Sequence, residues 1–326
     1  MKRLIGISVS FFILAIIIYK VGSREFIDNF KNIDLVFLTI SLLFFIPQTI
    51  ISAKRWQWIL HPHCEVGLGK ATSVILAANS LNAVLPSKIG DFAKALFHKN
   101  HEGLELTKGI YLTIMERVLD VAALCFVLLC GALLIPESNN MVKLFILFSF
   151  LIIVITICIF SFDIKHMVSS MISERIRIKY NLDVYLNKWQ ELIELQKSAK
   201  RNFIKIILVS ILLWFLHITQ IYFFFLSFNA TVPLVIVLAL VPVCIFVGLI
   251  PISFAGIGTR DASLIYFFSP YAPASIMAGI GILVSSRYFI PALVGLPFLH
   301  RLGFSIKEMK ERSSSAFDTL DDSSSN

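Results

Sequence analysis

Charge is scarce in this chain, and its scarcity excludes an ordinary soluble protein. Only 15% of the 326 residues are charged and 57% are hydrophobic, whereas soluble domains carry about 25% charged residues. The mean hydropathy is +0.82, and a helix needs about 20 apolar residues to cross a bilayer. The composition therefore predicts an all-α, polytopic integral membrane protein. Runs without any charge occur at residues 4–19, 35–53, 144–162, 206–259 and 262–286.

Motifs of soluble enzymes are missing as well. The sequence contains no GxxxxGK[ST], no HExxH and no GxSxG, so it predicts no ATPase, zinc protease or hydrolase activity of its own. The cysteines have no CxxC spacing and most lie in apolar runs, so we expect neither disulfides nor a metal site. We assign no catalytic residue, no metal ligand and no cofactor, and we expect a transporter rather than an enzyme.

Basic residues predict the orientation of the chain. The net charge of +8 fits the positive-inside rule better than nucleic-acid binding. Lys2 and Arg3 place the N-terminus in the cytoplasm before a retained first span, and Lys54 and Arg55 mark the cytoplasmic end of the second. We predict a multi-pass protein of the prokaryotic inner (cytoplasmic) membrane with both termini cytoplasmic. Its six spans are residues 4–19, 35–53, 109–134, 142–162, 203–228 and 274–299.

Two further apolar segments, residues 66–98 and 234–269, are interrupted by proline, glycine and charge. Such breaks are tolerated at membrane depth only where protein or a watery cavity surrounds them. We predict two re-entrant helical hairpins that enter from opposite faces of the membrane as an inverted repeat, which is a pointer to a transporter's binding site. Eight annotated spans, with both pieces of each hairpin crossing, are the alternative.

The remaining segments are polar. Residues 163–202 have apolar side chains at helical spacing and predict a cytoplasmic amphipathic insertion on the membrane surface, with a solvated connector as the alternative. Residues 1–305 form the predicted membrane domain. Residues 306–326 are serine-rich and acidic and predict a disordered cytoplasmic tail.

Each hairpin places a cation beside a helix start. After Pro86, Lys88 and the free N–H groups of a new helix suit a phosphate, and Arg260 is suited to bidentate phosphate binding. In the alternative interpretation, Lys88 with Asp91 and Arg260 with Asp261 are purely structural pairs. The predicted substrate-binding residues are Asn79, Asn82, Pro86, Lys88, Gly90, Asp91, Gly256, Gly258, Arg260 and Asp261.

The third span carries three ionisable residues on one helical face: Glu116, Arg117 and Asp120. They leave one negative charge unless Lys88 or Arg260 approaches, or unless a proton is held. We therefore interpret them as a charge network or proton relay; a structural ion-pair network that fixes helix packing is the alternative.

Arg287 in the sixth span joins this network by the same reasoning, because an arginine within a span needs an acidic partner. Asp120 and Asp261 are the candidates.

Three motifs occur in order: Asn82-x-x-Leu-Pro-x-Lys-x-Gly-Asp91, Glu116-Arg-x-x-Asp120 and Pro251-x-x-x-x-Gly-x-Gly-x-Arg-Asp261. With them, residues 1–305 resemble the flippase-like family, the membrane region of lysyl-phosphatidylglycerol synthase/flippase proteins and of stand-alone prokaryotic proteins. The family usually has Arg at position 88 and Glu at position 261. The resemblance implies lipid movement between leaflets, and without a soluble aminoacyl-transferase domain it implies no lysine transfer.

Three hypotheses follow. The leading one is a lipid transporter or flippase for an anionic phospholipid or a polyprenyl-phosphate-linked glycan. The second is a membrane-embedded transferase with a lipid-phosphate donor, in which Asp91, Glu116 or Asp120 would be the base. The third is a non-catalytic partner of a cell-envelope biosynthetic enzyme. Membrane lipids are the expected partners and nucleic acid is not; the oligomeric state stays open.

Overall fold

The computed structural model describes residues 23–134, 140–162, 168, 174–179, 181–250 and 256–302. The predicted first span and the tail lie outside the described residues. The helices in chain order are α1 (Ser23–Lys31), α2 (Leu35–Leu43), α3 (Phe45–Leu60), α4 (Leu68–Val84), α5 (Ala93–Glu102), α6 (Leu106–Ala132), α7 (Asn140–Ser161), α8 (Glu174–Lys179), α9 (Leu182–Ser198), α10 (Lys200–Ser227), α11 (Leu234–Leu249), α12 (Thr259–Phe268) and α13 (Ala274–Gly295). Two 3-10 helices, Pro86–Phe92 and Leu296–Leu302, precede α5 and follow α13.

Within the described residues, four segments are long and apolar enough to cross a membrane, and each overlaps a predicted span. They are Leu35–Leu60, Val142–Ser161, Lys200–Ser227 and Ala274–Leu299. The predicted third span is α6, whose 27 residues give about 40 Å of helix. The all-α, polytopic class is therefore confirmed.

The second span differs from its prediction at its end. Asp34 caps α2, accepting hydrogen bonds from the backbone N–H groups of Val36 at 2.8 Å and Phe37 at 3.2 Å. Phe44 separates α2 from α3, and α3 then runs to Leu60 instead of ending at residue 53. Arg55, expected at the cytoplasmic end, is instead buried against other helices. Its burial is possible because two carboxylates meet it there.

The first interrupted segment folds as a helical hairpin. Leu85 ends α4 in an extended conformation, and Pro86 opens the following 3-10 helix, where its missing N–H costs nothing. The chain then doubles back so closely that a Cβ on Gly90 would lie 2.6 Å from the backbone nitrogen of Asn82. The side chains of Pro86 and Lys88 lie outside the described residues.

The second interrupted segment has the same plan, with α11 and α12 as its limbs. Gly256 and Gly258 adopt φ values of +74° and +98°, which non-glycine residues rarely tolerate. A Cβ on Gly256 would lie 2.8 Å from the carbonyl oxygen of Gly248, so this glycine also allows the two limbs to approach. Pro251 lies outside the described residues.

The packing of the two halves follows one pattern. Each hairpin packs its second limb on the helix that follows it, α5 on α6 and α12 on α13. Each also packs its first limb on the corresponding helix of the other half, α4 on α13 and α11 on α6. The helices that precede the hairpins, α3 and α10, pack on each other. Reciprocal packing of this kind, in which each half contacts the other through corresponding helices, is what two repeats related by a two-fold axis produce.

Glycines sit at matching places in this pattern. Gly109 lets α6 approach α5, and Gly281 lets α13 approach α12. Gly131 lies against the backbone of α11, and Gly295 lies against the backbone of α4. At each of the four sites an added Cβ would overlap a neighbouring helix, so the glycines permit contacts that larger residues would prevent.

The polar insertion is partly described. Helix α9 contacts the end of α3. The Gln196 amide of α9 donates to the carbonyl of Ile59 at 2.7 Å, and Leu192 and Ile193 of α9 are buried. This segment is therefore attached to the membrane domain by one face. Of residues 163–173, the start of this insertion, only Val168 is described.

Candidate functional site

A cavity of about 390 Å³ lies where the two hairpins meet α3, α6, α10 and α13. Its wall combines apolar side chains with a concentrated set of polar and charged groups. Because α2–α3, α10 and α13 are candidate spans, this polar cavity lies inside the membrane domain. The polar and charged residues in its wall are Gln48, Thr49, Ser52, Arg55, Asn79, Asn82, Asp91, Lys94, Glu116, Arg117, Asp120, Trp214, His217, Arg260, Arg287 and Tyr288.

Most of the predicted site residues meet in this wall, although they come from four separate parts of the sequence. Those lining the cavity are Asn79, Asn82, Asp91, Glu116, Arg117, Asp120, Gly256, Arg260 and Arg287. Gly90, Gly258 and Asp261 are not among the lining residues. Gly90 supports the approach of the hairpin limbs, and Asp261 contacts Arg260 from behind.

The centre of the first half is an ion network around Glu116, which is 1% exposed. Arg55 donates to Glu116 Oε1 at 2.7 Å and to Asp120 Oδ1 at 2.5 Å, and also to the Ser210 hydroxyl at 2.9 Å. Lys94 Nζ donates to Glu116 Oε2. Within the described residues, the acids are balanced by Arg55 and Lys94 and not by Arg260, which pairs with Asp261. The side chain of Lys88, the other cation expected there, lies outside the described residues.

Arg117 joins the network to the first hairpin. Its guanidinium lies 3.1 Å from Asp120 Oδ2, 3.3 Å from Glu116 Oε2 and 3.4 Å from Asp91 Oδ2. Asn82 donates to the other oxygen of Asp91 at 3.0 Å. Three carboxylates thus face three cations, which removes the need for a held proton to balance charge.

Lys94 is fixed by an aromatic neighbour. Its Nζ lies 4.3 Å from the centre of the Trp56 ring, a cation–π geometry. The Trp56 indole N–H donates to His98 Nε2 at 2.9 Å, and His98 Nδ1 lies 2.9 Å from Glu102. Since Nε2 accepts, the proton of His98 is on Nδ1 and the ring is neutral.

Sequence reasoning missed Arg55 and Lys94 as members of the site. The available signal was the unbalanced charge of Glu116, Arg117 and Asp120, which required one more cation. Nothing in the local sequence could say which distant lysine or arginine would supply it.

The second hairpin presents Arg260, which is 2% exposed. Its Nη2 donates to Asp261 Oδ1 at 2.6 Å, to the Ser285 hydroxyl at 2.7 Å and to the Gly281 carbonyl at 3.0 Å. Asp261 in turn accepts from the backbone N–H of Gly258 at 3.0 Å. Arg260 Nη1 is buried with no hydrogen-bond partner among the described residues, so the N–H groups of this nitrogen have no described acceptor.

Arg287 is paired with an amide and not with the expected Asp120 or Asp261. Its Nε donates to Gln220 Oε1 at 2.9 Å, and Gln48 donates to the same oxygen at 3.1 Å. No ion pair of Arg287 occurs within the described part of the chain. Gln48 and Gln220, which the sequence analysis did not single out, are thus part of the site.

The helices and the cavity define the class: a polytopic α-helical membrane protein with a charged cavity between two interrupted hairpins. Residues 3–295 match the family described as the lysylphosphatidylglycerol synthase TM region. The chain belongs to this family, as its motifs predicted.

Three archaeal relatives are similar over most of their length. A UPF0104 membrane protein of Methanocaldococcus jannaschii is 24% identical, with 90% of this chain and 93% of the relative covered. Two UPF0104 membrane proteins of Methanothermobacter thermautotrophicus are also similar. One is 21% identical, with 90% of this chain and 94% of the relative covered. The other is 22% identical, with 86% of each chain covered.

Proposed function

We propose that the protein binds the anionic headgroup of a phospholipid or polyprenyl-phosphate-linked glycan in the central cavity and moves the lipid between leaflets. The observation that carries this proposal is the pair of guanidinium groups, Arg260 and Arg287, in a cavity inside the membrane domain. In a low-dielectric environment such groups are costly unless they meet a counter-charge or contribute to function.

The chemistry of these groups suits a phosphate ester. Guanidinium presents several N–H donors in one plane and binds phosphate oxygens in a bidentate manner. Nη1 of Arg260 has no hydrogen-bond partner in the part of the chain that the structure describes. Asn79 and Asn82 also line the cavity, and their side chains are able to hydrogen-bond the hydroxyl groups of a headgroup. Lys88, whose side chain is outside the described residues, is proposed as a further contact.

The two-fold packing pattern supports movement of the ligand between leaflets. Binding sites of many transporters lie at the interface of inverted repeats, and rocking of one repeat against the other exposes the site to each side in turn. Here the cavity lies between the hairpins, and each hairpin packs on both halves of the protein. We propose the inner membrane as its location, with both termini in the cytoplasm.

A transferase fits the geometry less well. A general base needs a lone pair within reach of the proton that it removes. Glu116 and Asp120, the acids of α6, are each held by two or more cations. Asp91 interacts with Arg117 and Asn82. This pairing favours a structural role for the acids over proton transfer.

The test is leaflet exchange of fluorescent lipids in liposomes that contain the purified protein. Exchange of a phosphatidylglycerol analogue should exceed that of empty liposomes. Arg260→Gln should slow it at least about tenfold, the effect of about 1.4 kcal/mol of lost binding. Arg177→Gln is the matched control, because Arg177 pairs with Asp183 at 3.5 Å and does not line the cavity.

Both variants are checked for folding by size-exclusion chromatography in detergent before reconstitution. If the wild-type protein leaves exchange at the rate of empty liposomes for anionic phospholipids and for polyprenyl-phosphate-linked glycans alike, the proposal is wrong.

A further inference from the structure

Arg287 differs from the other cations in the cavity wall. Arg55, Lys94 and Arg117 lie in the three-by-three ion network, and Arg260 pairs with Asp261. Arg287 makes no ion pair within the part of the chain that the structure describes. Its one described hydrogen bond is made by Nε, so within the described residues the guanidinium keeps its net charge and no acceptor is described for Nη1 or Nη2.

The charge balance of the site points the same way. Five described cations line the cavity, whereas three carboxylates line it and a fourth, Asp261, contacts Arg260 from behind. The described site thus has one excess positive charge, and Arg287 is its source. An ordinary phosphodiester carries one negative charge and cancels this excess, whereas a zwitterionic headgroup brings its own ammonium and leaves the excess in place.

The Gln220 side chain sets the position of Arg287 without cancelling its charge. Its Oε1 accepts from Arg287 Nε at 2.9 Å and from Gln48 at 3.1 Å, and its Nε2 donates to the Ser41 carbonyl at 2.8 Å. Gln220 is 2% exposed. Because these contacts use both ends of the amide, its orientation is fixed, and its neutral oxygen is the group that Arg287 meets.

We propose that Arg287, positioned by Gln220, makes the cavity select headgroups with a net negative charge over zwitterionic ones. This inference rests on the proposed function, since it assigns the selectivity of the same lipid site. The ligand chemistry is a phosphate ester monoanion, and Arg287 is a binding residue whereas Gln220 is a positioning residue. The selectivity arises from electrostatics, because the two headgroup classes share the phosphate and differ in the added amine.

Native mass spectrometry of the full chain tests this selectivity. The purified protein is incubated with equal amounts of phosphatidylglycerol and phosphatidylcholine, and the ratio of the two bound lipids is measured. The wild-type protein should favour phosphatidylglycerol. Arg287→Gln should lower the ratio at least about fivefold, within the range of one lost charge-assisted contact. Arg287→Lys, which keeps the positive charge, should keep most of the wild-type preference for phosphatidylglycerol.

Gln220→Glu is the second, nearly isosteric variant. It gives Arg287 a carboxylate partner and should lower the ratio about as much as Arg287→Gln, although Arg287 itself is unchanged. A purely structural role of Gln220 predicts no such shift in folded protein. Lys205→Gln is the matched control, since Lys205 lies on α10 with Gln220 and does not line the cavity. The ratio of bound phosphatidylglycerol to phosphatidylcholine in this variant should equal that of the wild type.

The outcomes separate the two proposals. If the wild type prefers phosphatidylglycerol and the folded Arg287→Gln and Gln220→Glu proteins keep that preference, the role of Arg287 is refuted and the proposed function stands. If the wild type binds neither lipid, the proposed function itself fails for phospholipids. If inorganic phosphate binds the purified protein and neither lipid competes with it, the site binds free phosphate and the assignment to a lipid headgroup is wrong.

Discussion

The two halves of the membrane domain share a backbone plan and differ in how they treat charge. Each half has a hairpin of two helices with a break between them, a following helix that packs on the hairpin, and glycines at the closest contacts. Arg117 and Arg287 both lie on the helix that follows a hairpin. Arg117 is within 3.4 Å of three carboxylates, whereas the described partner of Arg287 is an amide.

This difference separates structural charge from available charge. In the first half, the three cations and three acids of the described network balance, so the network can remain buried without a ligand. In the second half, Arg260 Nη1 has no hydrogen-bond partner and Arg287 has no ion pair among the described residues. We infer that the first half holds the helices in place and the second half supplies the counter-charge for a headgroup. Four predictions test this comparison.

The largest effect should follow from Glu116→Gln. The change leaves Arg55, Lys94 and Arg117 with one positive charge in excess at a buried position, which typically destabilises a protein by about 3–5 kcal/mol. The midpoint of thermal unfolding in detergent should fall strongly. Glu194→Gln is the control, because Glu194 is exposed on α9 and hydrogen-bonds only Gln190 among the described contacts; a similar loss in both variants would contradict the buried network.

Lys94→Met combined with Glu116→Gln should recover part of this loss. Removing both charges restores the balance between Arg55, Arg117, Asp91 and Asp120. The double variant should therefore lose less free energy of unfolding than the two single variants lose in sum. The coupling energy expected for charges in one network is about 0.5–3 kcal/mol. A complete thermal double-mutant cycle measures it, and strict additivity would show that the two side chains do not interact.

The paired glycines should give matching, intermediate effects. A Cβ at position 131 would lie 2.5 Å from the backbone nitrogen of Ala239, and one at position 295 would overlap the carbonyl of Leu76. Gly131→Ala and Gly295→Ala should each cost about 1–3 kcal/mol through overpacking. Gly69→Ala is the control, since no atom lies within 4 Å of its added Cβ. A large loss for only one of the pair would break the symmetry of the packing.

The smallest effect on stability should come from Arg287→Gln, the variant with a large expected effect on lipid selectivity. It removes the hydrogen bond to Gln220 but no described ion pair, so the loss should be about 1 kcal/mol or less. Arg117→Gln, made in parallel, should be clearly more damaging because it unbalances three acids. Equal losses of stability in unfolding experiments would refute the division between structural and available charge.

Sequence reasoning succeeded where local composition decides the outcome. The apolar runs predicted the long helices, because only a helix satisfies its backbone hydrogen bonds within one segment. Proline and glycine predicted both interruptions, because Pro86 lacks an N–H and Gly256 and Gly258 allow positive φ. Residues flanking both breaks line one cavity, Asn82 and Asp91 from the first hairpin and Gly256 and Arg260 from the second.

It failed where partners come from distant segments. The end of a span was placed before Lys54 and Arg55, because a charge normally marks the membrane boundary, yet Arg55 is buried against α6. Arg287 was expected to need an acid, and its described partner is Gln220, which is 67 positions away in the chain. Neither outcome has a local signal.

The sequence by itself determined that this chain is a polytopic helical membrane protein and where its helices are interrupted, because those properties depend on hydropathy and on the backbone chemistry of proline and glycine. Only the tertiary structure decided which charges are paired and which remain available. Ion pairing depends on distances of a few ångströms between side chains of separate helices. Packing of the two hairpins against each other's halves sets those distances.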